Sequence, residues 1–283
     1  MDDSVRRTLA AWLRRPRCEV MPLAGAEEAV AAHLTPDVTV TVTAPATRGL
    51  ERMLDLTERL VRRGYRVVPH LQARGVRDGA HLREVLDRLA ALGTEDAFVV
   101  AGDQPEPAGR FPDALSLLEA MATQGHPFRE IGIAGYPESH PFIHEDLTIQ
   151  AMWDKRRFAT YVVSNLCFDP RVIAAWVTRV RRRGVSLPIH VGMAGPINPT
   201  RLVRIANRIG LGESARLLRW HAGWVRLVAP GGYRPDRLLT RLAPRVADPA
   251  LNVAGLHVFT FNEIAKTERW RQEWLERLGA TGP

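Results

Sequence analysis

The chain has 283 residues, 46% hydrophobic and 25% charged, with a formal net charge of +8. That length and composition suit a globular protein with a large core and exclude a fibrous or low-complexity chain. The charge does not by itself mark nucleic-acid binding, and none is expected: all basic residues but Lys155 and Lys266 are arginine, they alternate with acids as in Arg83-Glu84-Val85-Leu86-Asp87-Arg88, and no nucleic-acid motif accompanies them.

Cys18 and Cys167 lie far apart with no metal-type spacing. His140 and His144 are four apart but lack a third ligand, so no metal site is expected. The chain has no run of 18 apolar residues and no apolar leader, so no membrane span and a cytoplasmic location are expected.

In chain order, an amphipathic helix over residues 4–14 leads. Val20-Met21-Pro22 closes the first candidate strand. Residues 38–43 alternate valine and threonine and read as the second. Residues 66–71, 97–101, 131–135, 161–165, 187–192 and 256–261 give six more. Helical patterns at 50–63, 82–92, 112–122 and 170–183 separate several of them. Strands alternating with helices imply parallel pairing through right-handed crossovers. Eight such units predict one (β/α)8 (TIM) barrel domain over residues 1–283, with an open doubly wound sheet as the alternative. Residues 212–251 exceed one crossover and predict an extra helix or cover before the last strand.

In such a barrel the chemistry sits at the carboxyl ends of the strands. Glu19, within an apolar strand, needs a partner or a proton. His70 ends the third strand. Gly102-Asp103 follows the fourth and places a carboxylate at the mouth, although an Asx turn would look the same. Tyr136-Pro137-Glu138-Ser139-His140-Pro141 follows the fifth, its prolines stiffening a polar loop. Asn165 ends the sixth, and an amide there can read a heterocycle edge. Asp169-Pro170 reads as a helix cap and first turn. Asn262-Glu263 admits the same reading. No Gly-x-Gly-x-x-Gly, Walker or Gly-x-Ser-x-Gly motif is present.

Over roughly residues 17–265 these strand ends resemble the methylenetetrahydrofolate reductase family. Ala134-Gly135-Tyr136-Pro137-Glu138-Ser139-His140-Pro141 is similar to its Tyr-Pro-Glu-x-His-Pro signature. Gly102-Asp103, Pro69-His70-Leu71, Asn165 to Asp169, His190 to Pro199 and His257 to Asn262 resemble further family segments. The resemblance implies reduction of 5,10-methylenetetrahydrofolate to 5-methyltetrahydrofolate with NADH or NADPH, a step toward methionine biosynthesis. It implies that Glu19 is the acid that helps protonate folate N5. Asp103 would contact the pterin and stabilise developing positive charge. Asn165 would replace a substrate-contacting glutamine, with Phe168 beside it. Thr43, His70, Gly102, Tyr136, His140 and Lys155 are the implied cofactor residues.

The departures concern the flavin. Ala101 stands where the family has arginine, and Lys155-Arg156-Arg157-Phe158-Ala159-Thr160 only partly matches Lys-x-x-Ala-Gly-Ala. Either FAD is bound with altered contacts, or NAD(P)H passes hydride directly to the folate. An accessory pterin-binding subunit, or another tetrahydrofolate-linked one-carbon enzyme of the same fold, is the alternative function.

Overall fold

The computed structural model describes residues 2–44, 49–138, 144–197 and 233–280. Its strands form a closed parallel barrel in chain order: β1 (Arg17–Val20), β2 (Thr39–Val42), β3 (Val67–Gln72), β4 (Asp96–Val100), β5 (Glu130–Gly135), β6 (Tyr161–Ser164), β7 (Ile189–Ala194) and β8 (Val253–Phe259). β8 closes the ring on β1, with Cys18 opposite Val258.

The described helices are α1 (Asp3–Arg14), α2 (Ala26–His33), α3 (Gly49–Arg62), α4 (Gly79–Ala91), α5 (Ala114–Gln124), α6 (Glu145–Lys155), α7 (Pro170–Arg182), α8 (Asp236–Val246) and α9 (Ile264–Arg277). The leading helix α1 packs against β8, α8 and α9, outside the barrel. Asp78, Asp113 and Asp169 cap α4, α5 and α7 by accepting backbone N–H bonds, so Asp169-Pro170 is the helix start its sequence suggested. Within residues 212–251, α8 supplies an extra helix and 249–251 a 3-10 turn; residues 212–232 lie outside the described residues.

Period two along the strands sorts side chains between two environments. Val38, Val40 and Val42 join the large core beneath the helices, with Leu71, Val99, Ile133, Val162, Val191 and Val258. The alternate positions face the lumen, and many are polar. Arg17 of β1 reaches across it to Asp96 of β4 at 2.7 Å and Glu130 of β5 at 3.2 Å. Tyr161 of β6 donates its hydroxyl proton to Asp96 at 2.8 Å and lies under the Arg17 guanidinium, 4.1 Å from the ring centre. These four residues open their strands, so they close the barrel floor. Gly132 leaves room for this plug, because a Cβ there would stand 2.3 Å from the Tyr161 ring. Above it Val68, Phe98, Tyr161 and Val163 form a small apolar layer.

The last strand differs from the sequence expectation. It begins at Val253 and ends at Phe259, and Phe261 and Asn262 adopt left-handed φ of 51° and 57°. A left-handed backbone cannot continue a ladder, so 261–262 form a turn at the mouth.

Candidate active site

Glu19 stands two residues above Arg17 on the same face of β1, which places it roughly 7 Å nearer the mouth. Its Oε2 lies 3.1 Å from His257 Nε2 and 3.9 Å from His70 Nε2. Phe98 packs on His70 at 4.8 Å between centroids, and Phe259 on His257 at 5.0 Å. Both imidazoles are buried, while 16% of the Glu19 side chain remains exposed.

Burial sets the protonation of this cluster. It pushes His70 down to about 4 and His257 to about 3, so both are neutral at pH 7. Burial holds the Glu19 carboxyl above the usual carboxylate range, and His70 offsets only part of that. Glu19 and His257 thus share one proton: the carboxyl donates to Nε2, or Nε2–H donates to the carboxylate.

The turn after β8 seats this acid. Thr260 Oγ1 donates to the Glu19 carbonyl at 2.6 Å. Asn262 accepts from Met21 N–H at 2.8 Å and donates to Met21 C=O at 3.0 Å. Its side chain therefore clamps the end of β1 rather than capping α9. Phe261, a bulky residue at positive φ, marks local strain beside the site.

A second wall rises from β4 and β5. Gly102 has φ 94°, and a Cβ there would meet the Gln104 and Gln72 side chains. Arg74 fastens this loop by donating to the carbonyls of Gln104 at 2.8 Å and Pro112 at 2.9 Å. Asp103 is exposed on it. Burial and, after it, the Asp103 charge raise the Tyr136 phenol, so the two share one electrostatic neighbourhood. Cys167 Sγ donates to Glu138 Oε1 at 3.3 Å and ties the β5 loop to the β6 loop.

The third wall is the β6 loop. Asn165 donates its N–H to Gly135 C=O at 2.7 Å and turns its side-chain oxygen to Leu166 N–H at 2.8 Å. That leaves the NH2 group as the donor it can offer a ligand. Phe168 is buried edge-on against Tyr233 at 5.4 Å, beside Leu166 and Phe261.

Of the predicted site residues, Glu19 and His70 therefore meet directly, and Gly102, Asp103, Tyr136, Asn165 and Phe168 stand on the loops around them. Thr43 is at the end of β2, its N–H bonded to Val20 C=O at 3.0 Å. Lys155 occupies the last turn of α6, with Asp113 and Asp154 as its charged neighbours. His140 lies outside the described residues. The residue missed was His257. Alternation through 256–261 puts it on one face with Phe259, but nothing local pairs it with Glu19.

Glu19, His70 and His257 offer three ligand atoms within 4.8 Å of one another, enough to interest a metal ion. A metal-bound imidazole normally donates its other N–H to an acceptor, and the buried His257 Nδ1 has none among the described residues. The donor set suits a shared proton better.

The sequence model of methylenetetrahydrofolate reductase matches residues 23–210. The chain belongs to this family. Glu19 and His257 lie outside the matched segment. Methylenetetrahydrofolate reductase 2 of Saccharomyces cerevisiae is 24% identical over 121 residues, covering 39% of this chain and 20% of that relative. The match thus spans about a fifth of the curated relative's length. Among solved structures, a protein of Burkholderia cenocepacia J2315 provisionally assigned as a phosphonomutase is 14% identical with a TM-score of 0.48, covering 98% of this chain and 97% of that one. Dihydropteroate synthase of Thermus thermophilus is 13% identical with a TM-score of 0.45, covering 93% and 94%. Among the described residues, no helix is long and apolar enough to cross a membrane.

Proposed function

We propose that this protein reduces 5,10-methylenetetrahydrofolate to 5-methyltetrahydrofolate with hydride taken directly from NADH or NADPH. One observation carries the reading: at the mouth of a barrel of this family Glu19, raised by burial, lies 3.1 Å from His257 Nε2 between two imidazoles that burial holds neutral.

In the substrate one carbon bridges N5 and N10. Proton transfer from Glu19 lets the carbon–N10 bond break, so the carbon becomes an iminium on N5. The resemblance names N5 as the atom protonated, but the product's methyl group on N5 requires the proton to end on N10. Hydride then adds to the iminium carbon. Asp103 faces the developing cation, and its attraction strengthens once substrate displaces water from the mouth. Glu19, left as a carboxylate, regains its proton through its exposed edge.

The family's flavin finds little to hold it here. Ala101 replaces the expected arginine, and the nearby Arg74 guanidinium is occupied by backbone carbonyls. Gln72 donates to Ala44 C=O and accepts from Gln104 at 3.2 Å, so neutral amides fill the space above Gly102. These residues do not fit FAD, and no step is assigned to it.

The test is an absorbance spectrum of the purified protein followed by an NAD(P)H oxidation assay. A colourless protein that oxidises NAD(P)H only when methylenetetrahydrofolate is present supports direct transfer. Flavin bands released on denaturation, with activity lost on flavin removal, would overturn it. A colourless protein that stays inactive after FAD is added back would favour an accessory pterin-binding role.

A further inference from the structure

Residues 101–113 carry Asp103 from β4 to α5 without a helix or strand of their own. Prolines at 105, 107 and 112, and Gly102 at φ 94°, suit neither. Ordering such a backbone costs entropy, so bonds from outside the loop must hold it. Arg74, in the 3-10 turn Ala73–Gly75 directly after β3, reaches it along its length. The Arg74 N–H donates to Ala101 C=O at 2.9 Å, and its C=O accepts from Ala108 N–H at 2.8 Å. Its guanidinium donates to the carbonyls of Gln104 at 2.8 Å, Pro105 at 3.2 Å and Pro112 at 2.9 Å. Ala101 and Gln104 flank Gly102-Asp103, so Asp103 is held between two bonds to one residue. Gln72, buried at the end of β3, accepts from Gln104 Nε2 at 3.2 Å and donates to Ala44 C=O, tying the same stretch to the segment after β2.

We propose that Arg74 is a positioning residue for the reduction: it fixes the Asp103 carboxylate at the mouth and acts on the reaction only through it. The inference rests on the folate reading above and adds to it a residue whose own donors are taken up by main-chain carbonyls. The planar guanidinium sets several donor directions at once. Nη1 therefore holds the loop beside Asp103 while Nε holds its far end at Pro112. A lysine keeps the charge but cannot span both. Geometry, not charge, is what the position supplies. Asp103 attracts a cation that develops in the transition state, and that attraction depends on distance. A misplacement of about 1 Å costs about 10²-fold in rate. Loosening the loop should therefore lower kcat and spare KM.

The experiment is a double-mutant cycle of Arg74→Lys and Asp103→Asn, with kcat and KM measured for methylenetetrahydrofolate at saturating NAD(P)H. Arg74→Lys should lower kcat by about 10–100-fold and leave KM within a few fold. In the Asp103→Asn background the same substitution should change kcat by no more than about twofold. Hydrogen exchange should show the Ala108 amide opening faster in Arg74→Lys, with the barrel strands unchanged. Arg74→Gln, which removes the charge as well, should match Arg74→Lys. Arg74→Lys with wild-type kcat overturns the proposal, and if Arg74→Gln alone is impaired the position supplies charge instead. An equal loss in both backgrounds also overturns it, because Arg74 would then act by a route other than Asp103. Each of these outcomes leaves the folate reading standing. A wild-type protein that neither binds nor reduces the folate sinks both.

Discussion

Arg17 and Glu19 share the inner face of β1, yet they serve opposite ends of one lumen. At the floor, burial lifts Asp96 to about 6, but Arg17 and Tyr161 both hydrogen-bond to it. At the mouth, among the described residues, Glu19 meets only neutral imidazoles and the edge of solvent. Both ends bury a carboxylate. Among the described residues only the floor supplies a matching cation, and that separates a structural plug from a proton donor: a compensated carboxylate holds strands together, while an uncompensated one is poised to release its proton onto something else.

Replacing the acid breaks the comparison most sharply. Glu19→Gln should lower kcat by about 10²–10⁴-fold, the range of general acid catalysis. It should leave the melting temperature unchanged or raise it, because a desolvated ionisable group has been removed. Full activity in the variant would refute the mechanism. Arg17→Met should do the reverse: a loss of about 3–5 kcal/mol in denaturant unfolding, since Asp96 is left buried without its cation. Glu130 adds little to that loss, being half exposed. Below the transition kcat should stay within a few fold of wild type. A stable but inactive Arg17 variant would mean that floor and mouth act as one unit.

Acid titration compares the two ends in one experiment. Folded His70, His190 and His257 sit at about 4, 3 and 3, against 6.5 for the unperturbed side chain. Below pH 6.5 the unfolded chain therefore binds more protons than the folded one, and stability falls as pH drops toward 4. Each histidine contributes up to about 1.4 kcal/mol per pH unit. Asp96 has the opposite sign: its folded value is raised, so its contribution is full below 3.8 and is lost as pH rises through 6. Glu19, also raised, shares that sign; three histidines outweigh the two carboxylates, and unfolding midpoints should fall as pH drops from 6.5 to 4.5. A flat or rising profile would mean that the histidines are not held neutral. Activity should follow the mouth instead, declining as pH rises through the raised value of Glu19.

Much of this was legible beforehand, and the gaps have physical causes. The Val-Thr alternation at 38–43 announced a strand, but not that its threonines face a polar lumen instead of solvent. Val253-Ala254-Gly255 opens β8 without a β-forming run, so the strand seemed to start later. α2 is rich in alanine and glutamate and shows no apolar stripe. Glu19 and His70 stood out as ionisable groups in apolar strands. His257 did not, because a lone histidine in a strand looks like a satisfied core residue until closure sets it against Glu19, 238 residues away.

The smallest effect tests how the mouth is built. Asn262 does two things: it adopts φ 57°, and its side chain holds both backbone groups of Met21. Asn262→Gly keeps the conformation and removes the clamp, whereas Asn262→Ala removes the clamp and strains the turn. Two hydrogen bonds account for about 1–3 kcal/mol, and the left-handed alanine adds about 1 kcal/mol more. Stability should therefore fall from wild type to Gly to Ala. If the clamp seats Glu19, kcat should fall to a similar extent in both variants, because both release Met21 and with it the end of β1. A kcat that follows stability, lower in Ala than in Gly, would place the catalytic constraint in the strained turn at Phe261. An unchanged kcat in both would leave Thr260 as the residue that fixes the acid, through its bond to the Glu19 carbonyl.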